Sequence, residues 1–461
     1  MLSTAKANWT RSLLLGWLLA CGCAWSPEAK IERHLKRAEE YFSQKRYSEA
    51  LIEYRNVLQI ENENPIAIER LAVAHYNLGQ LGQSFRYLQK SNQLNPENLD
   101  VRLKLATIYH LGRRPEEAKE QLSYVLQKDP KNLDALVLMA ETAATPEDVE
   151  AALRMFEAAR ADFSGKAKFH LALGVLHLKK QDVAAAEAAF QQAATVEAGS
   201  PESHLALGNF YVAKRELDKA EAEFKTAAEV ARDGPAVELR LAEFYLQVRR
   251  NVDEAKKVLE GITARSPDYL PAWKRLADIA FAQQNYDEAA RALDTMLEKA
   301  PNDPDTLIMR GQVHRAKQEV KEANERFQSA VLLYQQAVKN QPRLAPLRFR
   351  LARAHLQAGS VEQAKTELKE AVNLAPNYGE AVLALAELQI RTNEADQAIP
   401  NLEAIRDKNP RIPQVHQLLG SAYLAKKNPA KATEAFTKLV ELAPQNPQYV
   451  YLLGLSLRAE N

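Results

Sequence analysis

A chain of 461 residues carries 61 Lys and Arg against 60 Asp and Glu, a formal net charge of +1, so its composition suggests no basic face of the kind nucleic acids require. Glycine (16 residues) and aromatics (7%) are scarce while 46% of the chain is hydrophobic, a profile of helices rather than sheets. The cysteines are Cys21 and Cys23, which excludes a disulfide framework or a cysteine zinc site in the body of the chain.

The first twenty residues stand apart from the rest. Lys6 and Arg11 precede the apolar run SLLLGWLLA, Ser12 to Ala20, and Cys21 follows. A basic start, a short apolar run and small residues at its end describe an export signal; nine residues are too few to span a membrane as a helix. Leu18-Leu19-Ala20-Cys21 resembles the lipobox of bacterial lipoproteins, in which the signal is cut before the cysteine and the cysteine carries the lipid. The resemblance implies a signal peptide over 1–20, an acylated Cys21 with a short linker over 21–30, and a lipid anchor in the bacterial cell envelope. Gly22 is not the usual inner-membrane retention residue of that family, which implies the periplasmic face of the outer membrane. Cys23 is the alternative attachment point, but Ala20 stands three residues before it, where the family prefers a larger aliphatic. Plain secretion, or an apolar start on a cytoplasmic protein, are the readings left open.

The linker Ala24 to Ala29 leads into a pattern with a period of thirty-four residues, clearest from Asn98 to Leu133. Stepping from Leu105 gives Leu71 and Arg37 backwards and Met139, Leu173, Leu207 and Leu241 forwards. After one extra residue the series resumes at Leu276 and Arg310, and after seven more at Leu351, Leu385, Leu419 and Leu453. The next residue is alanine or glycine all thirteen times, from Ala38 to Gly454. A fixed period of this length means a stacked array, which overrules the three domains that length alone suggests.

The pattern resembles the tetratricopeptide repeat, in which small residues at positions 8, 20 and 27 let two helices pack closely. Position 20 runs from Ala50 to Ala432; position 24 is large and apolar from Tyr54 to Phe436. Position 32 is proline in eight repeats, among them Pro96, Pro130 and Pro444, where the ring ends the second helix. The resemblance implies an all-α fold, an α-α superhelix (TPR solenoid) of twelve helix pairs over 31–446 and a final single helix over 447–461. Repeats 4, 5 and 6 lack the closing proline, and looser turns are expected there. The ninth repeat carries seven extra residues before Pro342; two helical turns keep its apolar face in register and lengthen the second helix by ~10 Å. That ridge is either a tolerated variation or a docking site. The last segment, PQYVYLLGLSLRAEN, shows little polar outer face and is a candidate for self-association through Pro447–Asn461.

Nothing in the chain assembles into a catalytic motif. His34, His170, His204 and His416 fall at position 4, and His75, His177, His314 and His355 at position 11. Both are packing positions, so these imidazoles read as core aromatics rather than metal ligands. No HExxH, Gly-rich phosphate loop or GxSxG occurs, and neither an enzyme nor a cofactor is expected.

What remains is the groove that the family lines with positions 2, 5, 9, 12 and 13 of the first helix. The resemblance makes partner-groove candidates of Glu39, Glu69, Tyr76, Asp100, Leu103, Asn209, Lys274, Phe281, Arg315, Phe349, Arg353 and Arg391. The apolar members either bury against the neighbouring helix or form a track for a segment of another protein. Repeats 1 to 4 supply only acids at these positions, Glu32, Asp134 and Glu141 among them, whereas repeats 8 to 11 mix bases with acids. An acidic mouth would favour a basic partner. The clamp that some family members use on chaperones is missing, since the asparagine at position 9, Asn209, is matched by Leu205 at position 5.

The expected function is a non-enzymatic protein-protein scaffold, lipid-anchored and serving an export or assembly system for exopolysaccharide, pili or outer-membrane proteins. Those systems come from the likeness to repeat lipoproteins of exopolysaccharide and protein-sorting loci. The alternatives are a repeat arm of a larger or multi-chain enzyme, or a cytoplasmic adaptor.

Overall fold

A computed structural model describes residues 26–231 and 234–460; the signal segment, Cys21 and Cys23 lie outside the described residues. Every regular element among them is a helix. The chain divides into two compact units, one reaching to Val237 and one starting at Glu238.

The first unit holds six helix pairs, each a helix A followed by a helix B. They are Pro27–Ser43 with Tyr47–Ile60, Pro65–Asn77 with Leu81–Leu94, Leu99–Leu111 with Pro115–Lys128, Leu133–Thr142 with Pro146–Phe163, Ala167–Lys179 with Val183–Val196, and Pro201–Lys214 with Leu217–Val230. The seventh pair is Pro235–Phe244, continued by a π-helical turn at Tyr245–Arg249, with Val252–Arg265. Then come Leu270–Ala282 with Tyr286–Lys299, Pro304–Ala316 with Val320–Asn340, Ala345–Gln357 with Val361–Leu374, Gly379–Arg391 with Ala395–Lys408, and Pro413–Ala425 with Pro429–Leu442. Pro447–Glu460 closes the series as a single helix. The twelve pairs and one helix are those the period implies. None of the described helices is long and apolar enough to cross a membrane.

Local chemistry explains where these helices start and turn. Asn64, Asn98 and Asn132 each accept a hydrogen bond from the backbone N–H three residues on, which satisfies one of the donors a helix start leaves free. Proline stands in the first turn of Pro27–Ser43, Pro65–Asn77, Pro201–Lys214 and Pro304–Ala316, where its missing N–H costs nothing. Between helices A and B of every pair but the fourth, one residue takes a left-handed conformation, Gly79 and Gly359 but also Lys45, Arg113, Gln284 and Lys427 among them. In a non-glycine residue that conformation costs about 1 kcal/mol, offset here by the two hairpin helices it allows to pack.

The core is one repeated contact. The position 24 side chains Tyr54, Leu88, Leu122, Phe156, Phe190, Phe224, Leu259, Leu293, Phe327, Leu368, Leu402 and Phe436 are all buried. Facing them are the small residues of position 8. Where the large residue is phenylalanine the small one is glycine at Gly174, Gly208, Gly311 and Gly420, and a Cβ there would meet the ring of Phe190, Phe224, Phe327 or Phe436 at 2.4–3.3 Å. The fourth repeat departs, setting Ala140 against Phe156.

Several local expectations are corrected. The first helix begins at Pro27, inside the expected linker, because Ser26 caps it by accepting from the Ala29 N–H at 3.2 Å. The turns after repeats 4 and 5 are closed without proline: the His170 ring contacts the Ser164 carbonyl at 2.8 Å, and the Ser200 N–H donates to the Glu197 carbonyl at 2.8 Å. The single extra residue of repeat 7 is absorbed by the π turn at Tyr245–Arg249, the usual way a helix takes one insertion without losing its face. Helix A of repeat 4 stops early, at Thr142. Its last carbonyls are covered by Lys179, whose Nζ donates to the carbonyls of Ala140, Glu141 and Ala143, each at 2.8 Å.

The seven-residue insertion behaves as its length requires. Val320–Asn340 has 21 residues where the helices B on either side, Tyr286–Lys299 and Val361–Leu374, have 14. Tyr334 and Val338, in the added turns, are buried against Leu351, Ala354, Ile308 and Leu347.

Candidate partner-binding groove

Helix A side chains of the first unit that sequence spacing assigns to a groove are largely used within the chain. Glu39 accepts from the Tyr54 hydroxyl at 2.8 Å and from Arg70 Nε at 2.9 Å. Glu69 accepts from Asn98 Nδ2 at 2.9 Å, and Asp100 pairs with Lys104 at 2.5 Å. Asp134 pairs with Lys168 of the next repeat. Lys104 Nζ also lies 5.7 Å from the centre of the Tyr76 ring. The expected acidic mouth is therefore paired with bases of the chain at Glu39, Asp100 and Asp134, while Glu69 is hydrogen-bonded to the Asn98 amide. Sequence spacing misleads here because Arg70 and Lys104 stand at position 6, outside the groove positions, and Lys168 comes from the following repeat. Leu103 is half-buried and packs with Leu122, Val125 and Met139, so it belongs to the core rather than to an open track.

The second unit is different. Helices A of repeats 8, 9 and 10 enclose a cavity of about 450 Å³ lined by Lys274, Asp278, Phe281, Asp305, Ile308, Gln312, Arg350, Arg353 and Gln357, among others. Three of the sequence-derived candidates, Lys274, Phe281 and Arg353, meet here. Phe281 keeps 36% of its surface exposed and stands edge-on to Tyr286 at 5.6 Å. Arg315 joins the wall through Gln357, to whose Oε1 it donates at 2.8 Å. Phe349 lies outside the lining, half-buried and edge-on to Tyr378 at 5.4 Å. Asn209 and Arg391 fall in neither cluster.

The acids of this cavity are anchored. Asp305 accepts from the Tyr334 hydroxyl at 2.6 Å and from Arg350 at 3.2 Å. Burial, together with the hydrogen bond to Asp305, pushes the Tyr334 hydroxyl well above its ordinary range. Asp278 lies 3.6 Å from Arg275; burial raises its carboxyl despite the opposing pull of Arg275 and Lys274. Because Tyr334 belongs to the inserted turns, the insertion helps build this cavity and is more than a ridge.

Arg350 is the residue that the spacing argument misses, since position 6 is not among the groove positions. A signal for it exists. Arginine recurs at position 6 as Arg70, Arg240, Arg275 and Arg350; three of these meet an acid of the preceding helix A, Glu39, Glu243 and Asp305, whereas Arg240 pairs with Glu243 of its own helix.

The histidines are engaged in packing contacts. At position 4 the ring nitrogens of His170, His204 and His416 contact the carbonyl six residues earlier, at 2.8–3.1 Å. Trp273, Arg102 and Arg348 donate to the equivalent carbonyls at 2.9, 2.7 and 3.0 Å. In these six repeats a Trp, His or Arg at position 4 ties helix A to the turn before it through a ring or guanidinium nitrogen, whereas Ile68, Leu136, Glu238, Leu307 and Val382 hold the same position without that contact.

Comparison with known proteins follows the same periodicity. Family models described as Tetratricopeptide repeat match residues 177–243, 211–277, 249–313 and 321–388 in one case and 137–204 and 383–447 in a second. A third, described as TPR repeat, matches residues 38–79. The U-box domain-containing protein 70 of Oryza sativa subsp. japonica is 29% identical over 113 residues, which is 24% of this chain and 14% of that protein's length. Among solved structures, yeast Tom70 aligns with 94% of this chain and 96% of its own, at 14% identity and a TM-score of 0.46. A thermophilic TPR protein of Thermus thermophilus aligns with 40% of this chain and 99% of its own, at 24% identity and a TM-score of 0.35.

Proposed function

The chain belongs to the tetratricopeptide repeat proteins, and from that premise we propose that it is a non-enzymatic scaffold that binds another protein on helices A of repeats 8–10. One observation carries the reading: the cavity of about 450 Å³ that joins exposed Phe281 to Lys274 and Arg353. Exposed aromatic surface ringed by charge is the chemistry of a protein contact.

The scaffold is held at the bacterial envelope by a lipid on Cys21, on the periplasmic face of the outer membrane, and serves an export or assembly system. Support for the anchor comes from the lipobox-like Leu18-Leu19-Ala20-Cys21. With Pro27 opening the first helix, few residues separate Cys21 from the folded body, which keeps the scaffold close to the bilayer. A second contact surface, for self-association, is supported by Pro447–Glu460, where Val450 is 50% and Tyr451 64% exposed and nothing stands within 4 Å of a Cβ built on Gly454.

The test is a cross-linked pull-down from native membranes with the wild type beside Cys21→Ser, read by mass spectrometry. The expected result is recovery of envelope export or assembly components, lost or mislocalised with Cys21→Ser. Identical fractionation of the two forms with cytoplasmic partners would refute the anchor and leave a cytoplasmic adaptor.

A further inference from the structure

We infer that the cavity between Lys274 and Arg353 receives an acidic segment of the partner protein, an inference that rests on the groove reading above. Both side chains line one cavity. Lys274 acts on Asp278 only at a distance, and among the described residues neither cation is hydrogen-bonded or ion-paired. The carboxylates beside them have partners already: Asp305 holds Tyr334 and Arg350, and Asp278 faces Arg275. Asp305 is thus held by two donors and Asp278 by the more distant Arg275, while Lys274 and Arg353 have no hydrogen-bonded or ion-paired partner among the described residues.

That pattern inverts the one in the first unit, where Glu39, Glu69 and Asp100 are satisfied inside the chain. Phe281 and the half-buried Ile308 supply apolar surface in the same cavity as the two cations. The complement is a segment with an apolar side chain for that surface and a carboxylate for one or both cations. Opposite charges on the two partners speed encounter and fix register, and a desolvated aromatic contact supplies affinity.

A displayed library of random peptides, selected on the full chain, tests this. Selected sequences are then made as labelled peptides and titrated against the wild type, Lys274→Glu/Arg353→Glu and Phe281→Ala, with thermal melts confirming that the variants are folded. The inference predicts selected peptides that carry Asp or Glu next to an apolar residue. It also predicts binding weakened roughly tenfold or more by the double charge reversal and by added salt. Peptides that lack acids, or that bind the charge-reversed protein as well as the wild type while losing affinity for Phe281→Ala, overturn the acidic partner and leave the groove. No selection at all, or binding indifferent to both variants, removes the groove reading and the inference together.

Discussion

Each phenylalanine at position 24 of repeats 5, 6, 9 and 12 faces a residue with no Cβ, and the fit is tightest at Gly420, where an added Cβ would lie 2.4 Å from the Phe436 ring. Gly420→Ala gains about 1 kcal/mol of helix propensity and loses about 1–3 kcal/mol to overpacking. The predicted net effect is a lower melting temperature. Gly208→Ala, with 3.3 Å of room against Phe224, costs less. Adding Phe436→Leu to Gly420→Ala recreates the Ala106–Leu122 pairing and restores stability, so a double-mutant cycle reads a clear coupling. The histidines give a pH prediction. Burial holds His75, His177 and His355 below their ordinary value of 6.5. Between that value and the depressed ones the unfolded chain binds more protons, so stability is full above pH 6.5 and falls as pH drops through the folded values. His177→Tyr with His355→Tyr, using the residue found at Tyr109 and Tyr211, flattens denaturation midpoints below pH 6.5. An unchanged slope would assign the acid sensitivity elsewhere.

At the scale of elements, the alternation of helices A and B is legible in the sequence because each repeat makes the same contact. The period alone locates the position 8 and position 24 partners, such as Ala106 with Leu122. It also gives the register of the long Val320–Asn340 helix, since seven residues are close to two turns. It does not give the fate of single departures. One extra residue in repeat 7 becomes a π turn at Tyr245–Arg249. The early stop at Thr142 is explained by Lys179, a side chain 36 to 39 residues away in sequence from the carbonyls it covers, whose role no local pattern encodes. Lys179→Met leaves those carbonyls uncovered and destabilises the first unit by about 1–3 kcal/mol; hydrogen exchange should accelerate first at the end of Leu133–Thr142. Tyr334→Phe frees Asp305 from its hydroxyl donor and lowers stability by about 1–2 kcal/mol. Calorimetry that finds Tyr334→Phe neutral would remove the inserted turns from the construction of the cavity.

For the whole molecule, the candidate site is only half legible in the sequence. Spacing names Lys274, Phe281 and Arg353 among the groove candidates, from positions 5, 12 and 9 of helices A, and the structure brings these three to one cavity. It also nominates Glu39, Glu69, Asp100 and Leu103, which the chain uses for its own packing. Position alone cannot separate a free side chain from a paired one; that depends on Arg70, Asn98 and Lys104, which lie outside the groove positions. The central claim is that partners dock on the helix A face of repeats 8–10. Its most direct test places a photo-crosslinking amino acid at Phe281 and, separately, at Leu332, which is 66% exposed on the long helix B and not among the residues that line the cavity. Irradiated in native cells, the protein should yield a discrete cross-linked species from position 281 that is weak or missing from position 332. Equal cross-linking from both positions, or none from 281, would contradict the account.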